Sequence, residues 1–301
     1  MVLPSCQAHF SRPVDSWATN LLRHLTTPRM PVMPRRKIDI TKALFVAERG
    51  GFRPTAFALG PWTPEHLHGG PVAGLIAREA QRCEPDDRLR VARLTIELIR
   101  PVSLAPISVE ARLIRPGRKV QLVEVIARQD GVEVALGRAL RIRTADIHLP
   151  KAARHVEIPF APPESGVLMA SKGLPRTFHS EGAELRFVEG AYESPGPARV
   201  WVRLRVPVLA GERPSPLERV ATAADFGNGV SSPLSYGDWL VINPDLTIHV
   251  SRLPMGEWVG LESRTLAEPQ GIGISESRLW DEQGPIGRSI QSLLIDRLAL
   301  D

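Results

Sequence analysis

The second half of this 301-residue chain repeats part of its first half. The sequence LTIELIR at residues 94–100 returns as LTIHVSR at residues 246–252, an offset of 152 residues. Residues 136–141 (LGRALR) return as residues 286–291 (IGRSIQ), an offset of 150. A nearly constant offset over both segments indicates two copies of one structural unit, with small insertions in the loops.

The two copies differ where a functional group could lie. In this alignment Arg141 of the first copy corresponds to Gln291 of the second. The difference predicts that one copy serves as scaffold and that the other carries a functional site.

Charge and composition restrict the class of protein. The content of 43% hydrophobic and 24% charged residues is that of a globular protein with room for two domains. No apolar run approaches the roughly 18 residues of a membrane span. Residues 1–37 contain six of the 38 basic residues and only one of the 33 acidic residues. The rest of the chain therefore has 32 basic and 32 acidic residues. The absence of a net positive charge outside residues 1–37 argues against a nucleic-acid partner.

The basic segment 1–37 contains no apolar core of a secretory signal. We interpret it as a disordered extension or as the result of a start codon assigned too early, since Met30 and Met33 come just before the regular pattern. Cys6 lies in this segment and Cys83 lies in the folded part, so neither a disulfide framework nor a paired zinc site is indicated. A reducing, cytoplasmic location is expected.

In the first copy, residues 55–59 predict a short strand that ends at Gly60. The segment HLHGGPVAGLIAREAQRCEP then predicts a helix of three or four turns, because Pro71 and two glycines start an apolar repeat of helical spacing. Four segments that alternate with period two follow, separated by turn signals near Pro101, Gly117 and Gly131. The first copy is therefore predicted as a helix followed by an antiparallel meander.

The second copy follows a connecting region rich in Pro, Gly and Ser. It begins with a strand, ARVWVRLRVPV, and continues with a helix, PLERVATAADFGNG, that ends at Gly227 or Gly229. Four more strand-like segments repeat the meander. This pattern predicts an α+β fold of two units, each a helix packed on a curved antiparallel sheet, with the sheets paired edge to edge.

Six segments carry a family resemblance, and they occur in the family's order: HGGPVAG, RPGRKVQLVEV, AADFGNG, INPDLTIHVSR, PMGEWVGLESRT and DEQGPIGRSIQSLL. The chain resembles the TesB-like double hotdog acyl-CoA thioesterases over roughly residues 38–298. The resemblance implies an N-terminal hotdog at 38–150, a linker at 151–195, and a C-terminal hotdog at 196–301 that carries the catalytic residues. Hotdog proteins commonly assemble, so a homo-oligomer is a further expectation.

The resemblance also implies a catalytic group. In the family an Asp, a Gln and a Thr-type residue hold and activate the attacking water. Asp225 and Gln291 match the first two positions. Counting back from Arg252 places the third at Asn243, which departs from the family's Thr but keeps a polar side chain; Thr247 is the alternative. A carboxylate can serve as general base and an amide can orient water. No metal or other cofactor is implied.

Substrate binding is predicted at the first helix and at a basic turn. Backbone N–H groups at a glycine-rich helix start can stabilise charge on the thioester oxygen, which suggests Gly69 and Gly70, with His68 beside them. Arg118 lies in a turn that could meet the phosphates of CoA.

Each candidate also has a structural interpretation. These are a helix-end turn for Asp225, a solvent-facing strand position for Gln291, turn chemistry for Asn243, a helix cap for His68, a tight helix entry for the two glycines, and a solvated turn for Arg118.

We therefore expect an acyl-CoA thioesterase that acts by direct attack of water. Two other functions remain open. One is a hotdog hydratase or dehydratase acting on enoyl thioesters, which the sequence disfavours because no His is near Asp225 in the chain. The other is an acyl-CoA or acyl-carrier binding protein without turnover, which the change from Thr to Asn keeps open.

Overall fold

A computed structural model describes residues 42–150, 153, 157, 160–170, 175–192 and 194–298 of the chain. The predicted extension, residues 1–37, lies outside these residues. A small hairpin, β1 (Phe45–Glu48) and β2 (Gly51–Pro54), precedes the first large unit. Within the described ranges no helix is both long and apolar enough to cross a membrane.

The first unit consists of one helix and four strands. Helix α1 (Gly69–Arg82) is followed by β3 (Leu89–Leu98), β4 (Ser108–Arg115), β5 (Val120–Gln129) and β6 (Val132–Arg143). The helix begins where predicted, since His68 provides the N-cap and Pro71 lies in its first turn. Its apolar face packs against the sheet through fully buried side chains, among them Leu75, Ile76 and Val123.

The second unit repeats this arrangement with more elements. Its strands are β7 (Val167–Leu168), β8 (Ala183–Glu189), β9 (Ala198–Leu204), β10 (Trp239–Ile242), β11 (Asp245–Val250), β12 (Val259–Ala267), β13 (Ile272–Asp281) and β14 (Gly284–Arg297). Its helices are α2 (Pro216–Ala224) and α3 (Gly227–Ser231). The prediction of one continuous helix to Gly227 or Gly229 was wrong, because the helix ends at Ala224 and restarts at Gly227.

The two units join in a single twelve-stranded sheet, which confirms the predicted α+β double hotdog. Strand order is β4-β5-β6-β3-β11-β14-β13-β12-β9-β8-β7, and β10 also pairs with β14. The central junction is the antiparallel pair β3–β11, in which Thr95 lies directly opposite Thr247. These two residues are each other's counterparts in the repeat. A pseudo-twofold axis therefore passes between them, and no edge strand is exposed at the junction.

Strand pairing corrects one part of the alignment between the copies. Thr95 pairs with Arg138 in the first unit, and Thr247 pairs with Ile290 in the second. The offset of 152 therefore holds for the last strand too, and the counterpart of Gln291 is Ala139 rather than Arg141. A shift of two residues keeps every side chain on the same face of a strand, so alternation could not detect the error.

Two further expectations differ from the structure. Residues 55–59 do not form a strand, because the Thr55 side chain caps a 3-10 helix at Ala56–Ala58 by accepting a hydrogen bond from the Phe57 N–H (3.2 Å). The segment predicted as a linker contains β8, which pairs along its length with β9 and so belongs to the sheet.

The two long helices lie close together because their contact surface is made of small residues. A Cβ on Gly70 would lie 2.6 Å from the Thr222 carbonyl oxygen, and a Cβ on Gly74 would lie 2.5 Å from the Thr222 Oγ1. Glycine at these two positions lets α1 and α2 approach each other. The approach brings the start of α1 next to the end of α2.

Candidate active site

Asp225 lies at the break between α2 and α3 and is 5% exposed. Helix α2 starts with a capping box: Ser215 Oγ accepts from the Glu218 N–H, and a Glu218 oxygen accepts from the Ser215 N–H, both at 3.2 Å. At its other end the Phe226 N–H donates to the Ala223 carbonyl (3.1 Å), and Gly227 begins the next helix. The carboxylate is thereby held inside the protein, at the junction of two helices.

The structure brings both predicted partners to Asp225. Asn243, between β10 and β11, donates from Nδ2 to Asp225 Oδ1 (2.8 Å). Gln291, on β14, donates from Nε2 to the Asp225 carbonyl (3.3 Å) and lies 3.4 Å from Oδ1. Its Oε1 accepts from the Asn228 N–H (3.0 Å). Asn243 therefore binds the carboxylate, whereas Gln291 mainly fixes the backbone between the two helices.

A histidine also contacts Asp225, which corrects the expectation that none is near. His68 Nδ1 lies 2.8 Å from Asp225 Oδ2 and 3.0 Å from the Gly70 nitrogen. An imidazole nitrogen has one in-plane site, so Nδ1 either donates to Asp225 or accepts from Gly70. The ring packs against both Phe178 and Phe226, with centroids at 5.1 and 4.9 Å, and these two rings stack on each other, which restricts the orientation of the imidazole.

Gly69 lies against the carboxylate. A Cβ at this position would lie 2.7 Å from Asp225 Oδ2 and 2.8 Å from Oδ1. The Gly69 N–H is the first of helix α1 and has no acceptor among the residues that the structure describes, whereas the Gly70 N–H points at His68. Of the two glycines predicted to bind the thioester oxygen, Gly69 has an available N–H in either arrangement of His68, whereas the Gly70 N–H is available only when Nδ1 donates to Asp225.

Three adjoining cavities lie at Asp225 and the residues that contact it. A central cavity of about 60 Å³ is lined by Asp225, His68, Gly69 and Asn243. It shares Trp62, Leu67, Gly69 and Asn243 with an apolar cavity of about 310 Å³, which is otherwise lined mainly by Val72, Leu98, Ile99, Pro101, Val102 and Ile242. On its other side it shares Tyr192, Gly229 and Tyr236 with a tyrosine cavity of about 310 Å³. The carboxylate thus lies between two larger spaces.

Sequence reasoning missed His179, which also lines the central cavity. It lies in a π-helix (Phe178–Gly182) within the segment predicted as a linker. Its Nδ1 lies 2.9 Å from Thr177 Oγ1, and its ring stacks on Tyr192 at 5.7 Å between centroids. Burial, together with the nearby His68, lowers the pKa of His179 to about 4. The sequence around His179 shows no hydrophobic periodicity of a helix or strand, because the residue follows a segment rich in Pro and Gly.

The neutral state of His179 predicts a loss of stability in acid. The unfolded chain binds a proton at the ordinary pKa of about 6.5, whereas the folded protein does so only near pH 4. Stability is therefore lost as pH falls from about 6.5 to about 4, by about 3 kcal/mol. Urea unfolding of a His179→Gln variant is expected to show a correspondingly smaller pH slope. The exposed His249 provides the control, since His249→Gln should keep the slope of the unfolding free energy against pH. The same slope in His179→Gln as in the unaltered chain would contradict the prediction.

The other predicted residues lie away from Asp225. Arg118 is exposed in the turn between β4 and β5, at the far edge of the sheet, and lines none of the three cavities, so its contact with CoA stays a prediction. Thr247 Oγ1 lies 3.4 Å from Thr95 Oγ1 at the unit junction, whereas Asn243 contacts Asp225. Across the described part of the chain, no three His, Cys, Asp or Glu side chains converge where a metal ion could be held.

Family comparisons agree with this architecture. The pattern of the acyl-CoA thioesterase N-terminal domain matches residues 58–142, and that of the acyl-CoA thioesterase C-terminal domain matches residues 152–295. A comparison with curated proteins finds no match.

Solved structures share the fold at low sequence identity. One from Thermobifida fusca, provisionally described as a thioesterase II, is 19% identical, covers 88% of this chain and 99% of its own, and has a TM-score of 0.65. A conserved hot dog protein of unknown function from Alicyclobacillus acidocaldarius has 17% identity, coverages of 87% and 99%, and a TM-score of 0.67. Acyl-CoA thioesterase II TesB2 from Mycobacterium marinum has 18% identity, coverages of 83% and 93%, and a TM-score of 0.60.

Proposed function

The chain belongs to the acyl-CoA thioesterase family, and on that premise we propose that it hydrolyses an acyl-CoA to the free acid and CoA. One observation carries the proposal: the buried carboxylate of Asp225 is held by Asn243 at 2.8 Å, against the N-terminus of α1 and in a cavity between two larger cavities. It supports the proposal because a carboxylate can act as a general base and the N–H groups of a helix start can bind an oxyanion.

The proposed reaction needs only these groups and water. Asp225 takes a proton from the water as its oxygen bonds to the thioester carbonyl carbon. The Gly69 N–H and the positive end of the α1 dipole stabilise the negative oxygen that results. The carbon–sulfur bond then breaks, and the leaving thiolate takes the proton from Asp225. The acid and CoA are released, and the carboxylate is restored.

Release of CoA thiol by the full chain tests this proposal. The substrates are acyl-CoAs from acetyl to palmitoyl, each incubated with the protein and a thiol reagent. Steady release from at least one of them supports hydrolysis. Tight binding of acyl-CoA without release from any would instead establish a binding protein.

We assign the acyl chain to the apolar cavity, because seven of the ten lining residues that it does not share with the central cavity have hydrocarbon side chains; the other three are His66, Glu97 and Arg100. Ile99 lines this cavity and is 37% exposed, so a larger side chain can be placed there without disturbing the core. Ile99→Trp is expected to lower kcat/KM for long acyl groups about tenfold relative to short ones, by removing room for roughly two methylenes. Ile114→Trp, 38% exposed and outside the cavity, is the control; an equal effect there would contradict the assignment.

A second candidate is hydration of an enoyl thioester, which the contact between His68 and Asp225 favours. In that reaction the carbon–carbon double bond becomes a single bond as water adds its hydroxyl group to the β-carbon and its other hydrogen to the α-carbon, and the thioester stays intact. Crotonyl-CoA distinguishes the two functions. Loss of the enoyl absorbance without thiol release would indicate a hydratase, whereas thiol release would indicate a hydrolase.

A further inference from the structure

A thioester that reaches Asp225 extends in two directions, because its carbonyl carbon carries an acyl group on one side and a sulfur-linked arm on the other. The central cavity, at about 60 Å³, has little room for either extension. It adjoins the apolar cavity and the tyrosine cavity, which share no lining residue with each other. Since the acyl chain is assigned to the apolar cavity, the tyrosine cavity is left for the sulfur-linked arm.

The lining of the tyrosine cavity differs from that of the apolar cavity. The rings of Tyr192 and Tyr236, which both line it, stack at 5.5 Å between centroids with their planes 11° apart. The Tyr236 hydroxyl donates to the Gly229 carbonyl. The Tyr192 hydroxyl has no hydrogen-bond partner within the described ranges, and its oxygen is not buried. Aromatic faces beside an accessible hydroxyl suit a chain of methylene and amide groups.

Gly229 lies where the central cavity meets the tyrosine cavity, and it lines both. It is inside the short helix α3, where glycine is less favourable than alanine. Neither the backbone nor the packing requires glycine here. Its φ is not positive, and a Cβ would have only Tyr236 Oη within 4 Å, in ordinary contact at 3.6 Å. The absence of a side chain therefore leaves open the space beside Tyr236 that connects the two cavities.

We propose that the tyrosine cavity binds the sulfur-linked arm of the substrate, a pantetheine chain, and that Gly229 leaves the passage through which this arm reaches Asp225. The inference rests on the proposed function, from which it takes an acyl thioester as the ligand. Pantetheine is a narrow chain with amide groups, and a cavity of about 310 Å³ lies within the ordinary range of ligand sites. The Tyr192 hydroxyl is available to bond one of these amides.

The Gly229→Leu variant of the full chain tests the passage. Its kcat/KM for the preferred acyl-CoA is expected to fall at least about tenfold, because the new side chain would obstruct the arm. The S-methyl thioester of the same acid has no arm, so its kcat/KM should change less than about twofold. Ala191→Leu, exposed and outside all three cavities, is the control and should leave both substrates unaffected. An equal loss with both substrates in Gly229→Leu would overturn the inference.

Calorimetric binding of CoA itself gives an independent readout that needs no turnover. The Kd for CoA is expected to rise at least about tenfold in Gly229→Leu, and about threefold to tenfold in Tyr192→Phe through loss of one hydrogen bond. The nucleotide part of CoA, which lacks the arm, should give the same result with all three proteins. An unchanged Kd for CoA in both variants overturns this inference. Weakened CoA binding in both variants, with no thiol release by the unaltered chain, supports the arm site and overturns the proposed hydrolysis alone.

Discussion

Replacing Asp225 by asparagine is expected to lower kcat for thiol release by about 10²–10⁴-fold, because an amide cannot accept the proton of the attacking water. The Asn oxygen can still accept from Asn243, and the side chain has nearly the same size. KM should change little, since the carboxylate is not assigned a role in binding the acyl chain or CoA. The measurement is steady-state thiol release with the acyl-CoA that the unaltered chain prefers.

A matched control separates loss of the base from general disturbance. Asp245 is half-buried on β11, where its Oδ1 accepts from the Ser292 N–H (2.6 Å), and it does not line the central cavity. Asp245→Asn should therefore keep most of the activity. If Asp225→Asn retained more than about a tenth of the unaltered turnover, general-base catalysis by Asp225 would be wrong.

The fold could be predicted because its signals are repeated and local. A Gly–Pro helix start before an apolar repeat located α1, and segments of period two located the strands of both units. The repeat at 94–100 and 246–252 predicted two units, and the structure shows that these two segments form the junction, since β3 and β11 pair across Thr95 and Thr247. Local signals were weaker where side chains cap the backbone. Thr55 turned a predicted strand into a 3-10 helix for this reason.

The candidate site was predictable only in part, because its members come from distant parts of the chain. Asp225, Asn243 and Gln291 followed from the family's order of motifs, and the structure places them in contact. The proximity of His68 to Asp225 depends on the close approach of α1 and α2, which sequence spacing does not encode. The correct counterpart of Gln291 in the first copy could be identified only from strand pairing. A shift of two residues in the alignment leaves the same side chains on the buried face of the strand.

Replacing Gly69 by alanine is expected to remove activity while sparing the fold. The backbone at Gly69 is helical, and alanine stabilises a helix by up to about 1 kcal/mol relative to glycine. The new Cβ would lie 2.7 and 2.8 Å from the two Asp225 oxygens, so the carboxylate must rotate away from Asn243 and His68. We expect kcat to fall about 100-fold, as one misplaced catalytic group can cause. Urea unfolding should change by about 1 kcal/mol or less.

The Gly70→Ala variant serves as the control, because it is expected to lower stability. A Cβ at Gly70 would lie 2.6 Å from the Thr222 carbonyl oxygen, which is backbone within α2 and cannot rotate away. Gly70→Ala must therefore push the helices apart and is expected to lower the unfolding free energy by about 1–3 kcal/mol. Measuring thiol release and urea unfolding for both variants separates the two causes. If Gly69→Ala kept full turnover, Asp225 would not need its observed position, and the proposed geometry of water activation would be wrong.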